Sequence, residues 1–106
     1  MTLGWIEHPE ARDEFLEAHE RYSAIDDGKL GNEFADAVES AIELILQWPE
    51  ASAPYLGRNR QPVIRTWHLG KFPYQVIYAV LGEDVLVLAY AHDARRPGYW
   101  SRRLDD

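Results

Sequence analysis

The apolar residues of this chain keep a helical period up to Trp48 and lose it after Pro62. Ala11, Phe15, Ala18, Tyr22 and Ile25 recur at steps of four and three, which is one stripe of an amphipathic helix. Leu30, Phe34, Ala37, Ala41, Leu44 and Trp48 repeat that spacing, and Ile42, Ile45 and Leu46 widen the second stripe. His8-Pro9-Glu10 reads as the start of the first helix, with proline at the first helical position and an acid in the first turn. Asp26-Asp27-Gly28 separates the two helices, and Pro49 ends the second. A link this short makes a helical hairpin, with Trp48 expected to close the buried stripe.

The segment 49–62 holds three prolines and Gly57 and reads as a loop. Val63 to Leu69, Tyr74 to Val80 and Val85 to His92 are then β-branched or aromatic runs with short links, which favours an antiparallel meander. Thr2 to Glu7 can add a short strand. The expectation is a single α+β domain over residues 1–106, a helical hairpin packed on a small, mainly antiparallel sheet. The last two runs are apolar on both faces, so both faces need cover. The hairpin covers one. The C-terminal tail or a partner must cover the other.

Composition narrows the class of function. With 46% apolar and 27% charged residues the chain is of the globular type. It has no cysteine, hence no disulfide framework and no thiolate metal site. Glu7, His8 and Pro9 follow Trp5 and Ile6 at once, which is not a signal-peptide pattern. The longest apolar stretch, Val85 to Ala91, is far too short to span a bilayer. The expected location is the cytoplasm. Net charge is -7, unevenly spread. Residues 1–54 carry three cations against thirteen acids, and residues 55–106 carry eight cations against five acids. The overall sign argues against indiscriminate nucleic-acid binding, yet leaves room for a local basic site.

That site, if present, falls in "AHDARRPGYW", residues 91–100, directly after the most apolar run. Pro97-Gly98 turns the chain, and Tyr99 and Trp100 can pack back over the open face of the sheet with their polar edges at the rim. His92 and His68 are acid–base candidates near neutral pH. A metal site from His92, Asp93 and His68 lacks ligands, so neither metal nor cofactor is expected. There is no Gly-x-Ser-x-Gly nucleophile motif and no glycine-rich phosphate loop. The acids Glu10, Asp13, Glu14, Glu17 and Glu20 fall mostly off the apolar stripe, as a solvated face or a docking surface.

Four segments in this order resemble the RelE/ParE toxins of bacterial type II toxin–antitoxin systems: "IEHPEARDEF", "LGNEFADAVESAIELILQWPE", "FPYQVIYAV" and "VLVLAYAHDARRPGYWSRR". The resemblance covers nearly the whole chain. It implies a β-α-α-β-β-β fold, a cytoplasmic, growth-inhibiting toxin and a cognate antitoxin wrapped over it. ParE-like members inhibit DNA gyrase by protein–protein contact; RelE-like members are metal-independent endoribonucleases that cut messenger RNA on the ribosome. In the RelE pattern Arg65 matches an arginine on the first meander strand, Arg95 or Arg96 the arginine after the last strand, and Tyr99 a tyrosine. Gln75 stands where that pattern has an arginine, and the lysine-rich patch is missing, with Arg58 and Arg60 a partial substitute. The acidic charge and Gln75 therefore favour the ParE-like reading, or a relative with only a regulatory or antitoxin-binding role, over the RelE-like one. Arg65, His92, Arg95, Arg96, Tyr99 and Trp100 are the candidates for antitoxin or target contact. Arg95 and Arg96 have three possible partners: phosphate, an antitoxin carboxylate, or the acids of the hairpin.

Overall fold

Strand β1 (Gly4–Glu7) runs straight into helix α1 (Pro9–Ser23) because His8 serves both elements. The His8 amide donates to the Val87 carbonyl at 2.9 Å, extending the ladder of β1. Its Nδ1 accepts from the Glu10 amide at 3.1 Å and so caps the helix. The computed structural model describes residues 3–55 and 61–105; Thr2, Arg58 and Arg60 lie outside the described residues. Helix α2 (Lys29–Gln47) starts after Gly28, whose φ of 94° suits a residue without Cβ. Asp26 Oδ1 accepts from the Leu30 amide at 2.8 Å and satisfies a free donor of the first turn.

The buried row of α2 is Gly31, Phe34, Val38, Ala41 and Ile45. It is rotated from the stripe expected from the sequence: Leu44 and Trp48 are exposed, Trp48 at 57%, and Ile25 lies beyond the end of α1 in solvent. Phe34 is the centre of the packing, its ring 5.7 Å from Phe15, 5.2 Å from Tyr22 and 5.2 Å from Phe72. The expected burial of Trp48 is corrected accordingly. Trp48→Ala should lower the unfolding free energy measured in urea by no more than about 0.5 kcal/mol, the usual scale of a surface substitution. A shift several times larger would mean that the indole is covered.

Strands β2 (Ile64–His68), β3 (Tyr74–Leu81) and β4 (Asp84–His92) form the antiparallel meander. Strand β1 joins it in parallel with β4, giving the order β1-β4-β3-β2. This is the β-α-α-β-β-β arrangement of a hairpin on a mainly antiparallel sheet. Tyr78 faces Val87 and Ile77 faces Ala89, so Leu88 is an extra residue, a β-bulge in β4. The bulge rephases the strand. Val85, Val87 and Tyr90 join the helix-side core, while Leu88, Ala89 and Ala91 turn to the other face.

That other face is covered by the chain itself. After Pro97-Gly98 the tail folds back, Trp100 is 1% exposed, and a 3-10 helix (Ser101–Asp105) follows. Trp100 packs with Ile64, Ile77, Leu88 and Ala91, joined by Tyr55, Tyr99 and Leu104 at the margin. Of the two covers the sequence left open, the tail supplies the one seen.

Candidate functional site

Where β1 stops, backbone groups of β4 are left without a strand partner, and two side chains fill the gap. Beyond Val87, β1 no longer pairs with β4. There the Leu88 carbonyl accepts from Arg103 Nη1 at 2.8 Å, and the Tyr90 amide donates to Glu14 Oε1 at 3.1 Å. Arg103 and Glu14 meet fork to fork, at 3.0 and 3.1 Å. Tyr99 completes the cluster by donating its hydroxyl to Glu14 Oε2 at 2.6 Å. One carboxylate thus ties α1, β4 and the tail together. Both charged side chains are enclosed, Glu14 at 15% and Arg103 at 10% exposure.

Neither Glu14 nor Arg103 is prominent in the sequence. Glu14 lies three residues after Ala11 and four before Ala18, the two buried positions of α1, so helical spacing places it beside the buried row. That signal was available. Arg103 carries no local signal, since its meaning depends on the tail returning to the sheet. Pairing with the hairpin acids, weighed for Arg95 and Arg96, falls to Arg103, which also reaches Glu10 Oε2 at 3.3 Å.

Of the expected site residues, His92, Arg95, Arg96, Tyr99 and Trp100 are brought together. Arg95 lies on the Tyr99 ring, 3.9 Å from its centroid, and Arg103 is 5.1 Å from that ring. The stacked Arg95–Tyr99 pair is a wall shared by three clefts. The first, about 400 Å³, lies between α1 and the end of β4 and includes Glu17, Arg21 and Tyr74. The second, about 220 Å³, lies between sheet and tail and includes Thr66, Gln75 and Trp100. The third, about 440 Å³, is lined by Arg96, Arg102, Arg103 and Glu10.

Arg65 is not brought to these clefts. It pairs in register with Tyr78, on the helix side of the sheet, and its guanidinium donates to the carbonyls of Ser52 and, at 3.3 Å, Glu50. His92 Nδ1 accepts from the Ala94 amide at 2.9 Å, which leaves Nε2 for a proton. His68 Nε2 lies 3.3 Å from Asp93 Oδ2 on the surface. Gln75 accepts from the Thr66 hydroxyl. Among the described residues no three His, Cys, Asp or Glu side chains gather as a metal site, and no helix is long and apolar enough to cross a membrane.

Burial pushes the Tyr99 phenol well above its ordinary 10.0, and the Glu14 carboxylate adds to the rise. Tyr90 is raised likewise, by burial and then by its 2.5 Å hydrogen bond to Glu7. Burial also raises Tyr74 and Tyr78. Below pH 10 these phenols are protonated in both folded and unfolded chains, so their contribution to stability is complete. Above it the unfolded chain releases protons that the folded chain retains, so stability falls as pH rises. The urea midpoint should therefore drop above about pH 10, and less steeply in Tyr90→Phe and Tyr99→Phe. A midpoint that stays level through that range would contradict the burial of these rings.

No protein-family model matches the chain, and no curated protein matches it. Among solved structures, a chain of the "Chromosomal ParDE TA system from P. aeruginosa" is similar, with a TM-score of 0.69 and 12% sequence identity over 85% of this chain and 95% of that one. At that identity the likeness is one of fold.

Proposed function

We propose that the protein is the toxin of a type II toxin–antitoxin pair, that it acts in the cytoplasm by protein–protein inhibition of DNA gyrase, and that a cognate antitoxin neutralises it. The shared fold with a chain of a ParDE system supports the toxin–antitoxin part of this reading. The choice of inhibition over RNA cleavage rests on Tyr99. A nuclease needs a proton donor for the leaving oxygen and cations around the phosphate. The Tyr99 hydroxyl is already given to Glu14, and its proton is held more tightly than in a free phenol. Arg65 is committed to loop carbonyls, and Gln75 brings no charge.

Induced expression of the protein tests the proposal. Plasmid supercoiling should fall and DNA-damage signalling should rise, while a purified translation system continues in its presence. Co-expression of the antitoxin should restore growth. Rapid arrest of translation with cut messenger RNA would instead favour the RelE-like ribosome-dependent endoribonuclease. Tyr99→Phe adds a chemical control: an inhibitor should stay toxic, whereas a nuclease using that hydroxyl should lose its activity.

A further inference from the structure

We propose that the cleft framed by Arg95, Arg96, Arg102 and Arg103 binds a carboxylate-rich peptide segment of a partner protein. This rests on the toxin–antitoxin reading, which supplies a protein partner, and does not depend on which enzyme the chain inhibits. Four guanidiniums line about 440 Å³, with Glu10 the one acid among the lining residues. Arg103 is already matched, by Glu14 and Glu10. Arg95, Arg96 and Arg102 are exposed and have no ion-pair partner among the described residues. An acidic chain, at net charge -7, thus presents three unmatched cations on one cleft.

The geometry favours carboxylates. The Arg95 guanidinium carbon sits 3.9 Å from the Tyr99 ring centroid, a cation–π contact that holds the group over the ring while its N–H donors have no ion-pair partner among the described residues. A planar fork held in this way suits bidentate pairing with a carboxylate. Arg103, which also lines the cleft, already pairs fork to fork with the carboxylate of Glu14.

A nucleic acid presents a longer run of charge and is disfavoured. The neighbouring surface of α1 exposes Glu10, Asp13, Glu17 and Glu20. A polyphosphate extending past the cleft along α1 would run against those acids. A short acidic peptide can place its carboxylates on Arg95, Arg96 and Arg102 and leave by the other side.

The test uses the full chain and two fluorescein-labelled probes of six units each, hexaglutamate and hexathymidylate, read by fluorescence anisotropy at low ionic strength. Hexaglutamate should bind saturably and more tightly than hexathymidylate. Arg95→Gln with Arg102→Gln should weaken it by about tenfold or more, the effect of losing on the order of one charge-assisted contact. A melting curve for the double variant checks that the tail stays docked. On the unaltered protein, NMR of the arginine Nε–H groups gives a second reading. Signals of Arg95 and Arg102 should move on adding hexaglutamate. Equal or tighter binding of hexathymidylate would make phosphate the ligand and overturn the proposal. So would undiminished hexaglutamate binding by a folded double variant, or shifts confined to other arginines.

Discussion

Glu14→Ala is expected to lower the unfolding free energy by about 3–5 kcal/mol, the usual cost of removing one partner of an enclosed ion pair. Four hydrogen bonds end on this carboxylate, from the Tyr90 amide, the Tyr99 hydroxyl and both terminal nitrogens of Arg103. Alanine would leave Arg103, at 10% exposure, with only the longer contact to Glu10 at 3.3 Å and the carbonyl of Leu88. It would also strip the Tyr90 amide of its acceptor. Against a total of about 5–15 kcal/mol for a small domain, such a loss comes close to unfolding the protein. Glu14→Gln keeps an acceptor but removes the charge, and should fall between wild type and alanine. Urea denaturation at neutral pH measures both. A loss under about 1 kcal/mol for alanine would place the pair with ordinary surface salt bridges.

The helical hairpin and the meander were legible because their apolar periods differ and glycine or proline marks each break. The rotation of α2 was not. Leu44, Ile45 and Leu46 are consecutive, so two rows at steps of three and four compete, one ending in Trp48 and the other in Ile45. Periodicity alone does not separate rows one residue apart. The deciding residue is Gly31. A Cβ there would lie 1.9 Å from Ser23 Oγ and 3.1 Å from Ser23 Cα, so α1 crosses directly over the glycine. A glycine inside a helical pattern thus marks the row of closest approach. The bulge was hidden for a related reason: from Val85 to Ala91 every residue is apolar, and an unbroken run carries no phase.

The site was half legible. "AHDARRPGYW" does frame clefts, and Tyr99 and Trp100 do return over the sheet. The sequence does not say which arginine is spent on the fold. Arg95, Arg96, Arg102 and Arg103 are alike until the tail docks; then Arg103 alone meets the bulge carbonyl and Glu14. This division of labour separates the two kinds of arginine experimentally. Substitutions at Arg103 should act through stability, and those at Arg95 and Arg102 through binding.

Trp100→Ala should cost about 3–5 kcal/mol, the scale of removing a large buried ring. The indole is 1% exposed, edge-on to Tyr55 with ring centroids 5.1 Å apart, and in the cluster that closes the second face of the sheet. Trp48, at 57% exposure, makes the matched control, since the same chemical change there removes little contact. The consequence is local before it is global. Without the ring, the tail keeps Glu14–Arg103 and Tyr99–Glu14 but loses its apolar anchor, and Ile64, Ile77 and Leu88 lose their cover. Trypsin should then cut after Arg102 and Arg103 faster than in wild type, and ANS fluorescence should rise at temperatures below the melting transition. Helical circular dichroism should persist over that range, because α1 and α2 pack on the opposite face around Phe34. A tail that stays resistant to trypsin in Trp100→Ala would show that the polar contacts to Glu14 hold it alone, and that the indole fills the core without fastening the lid.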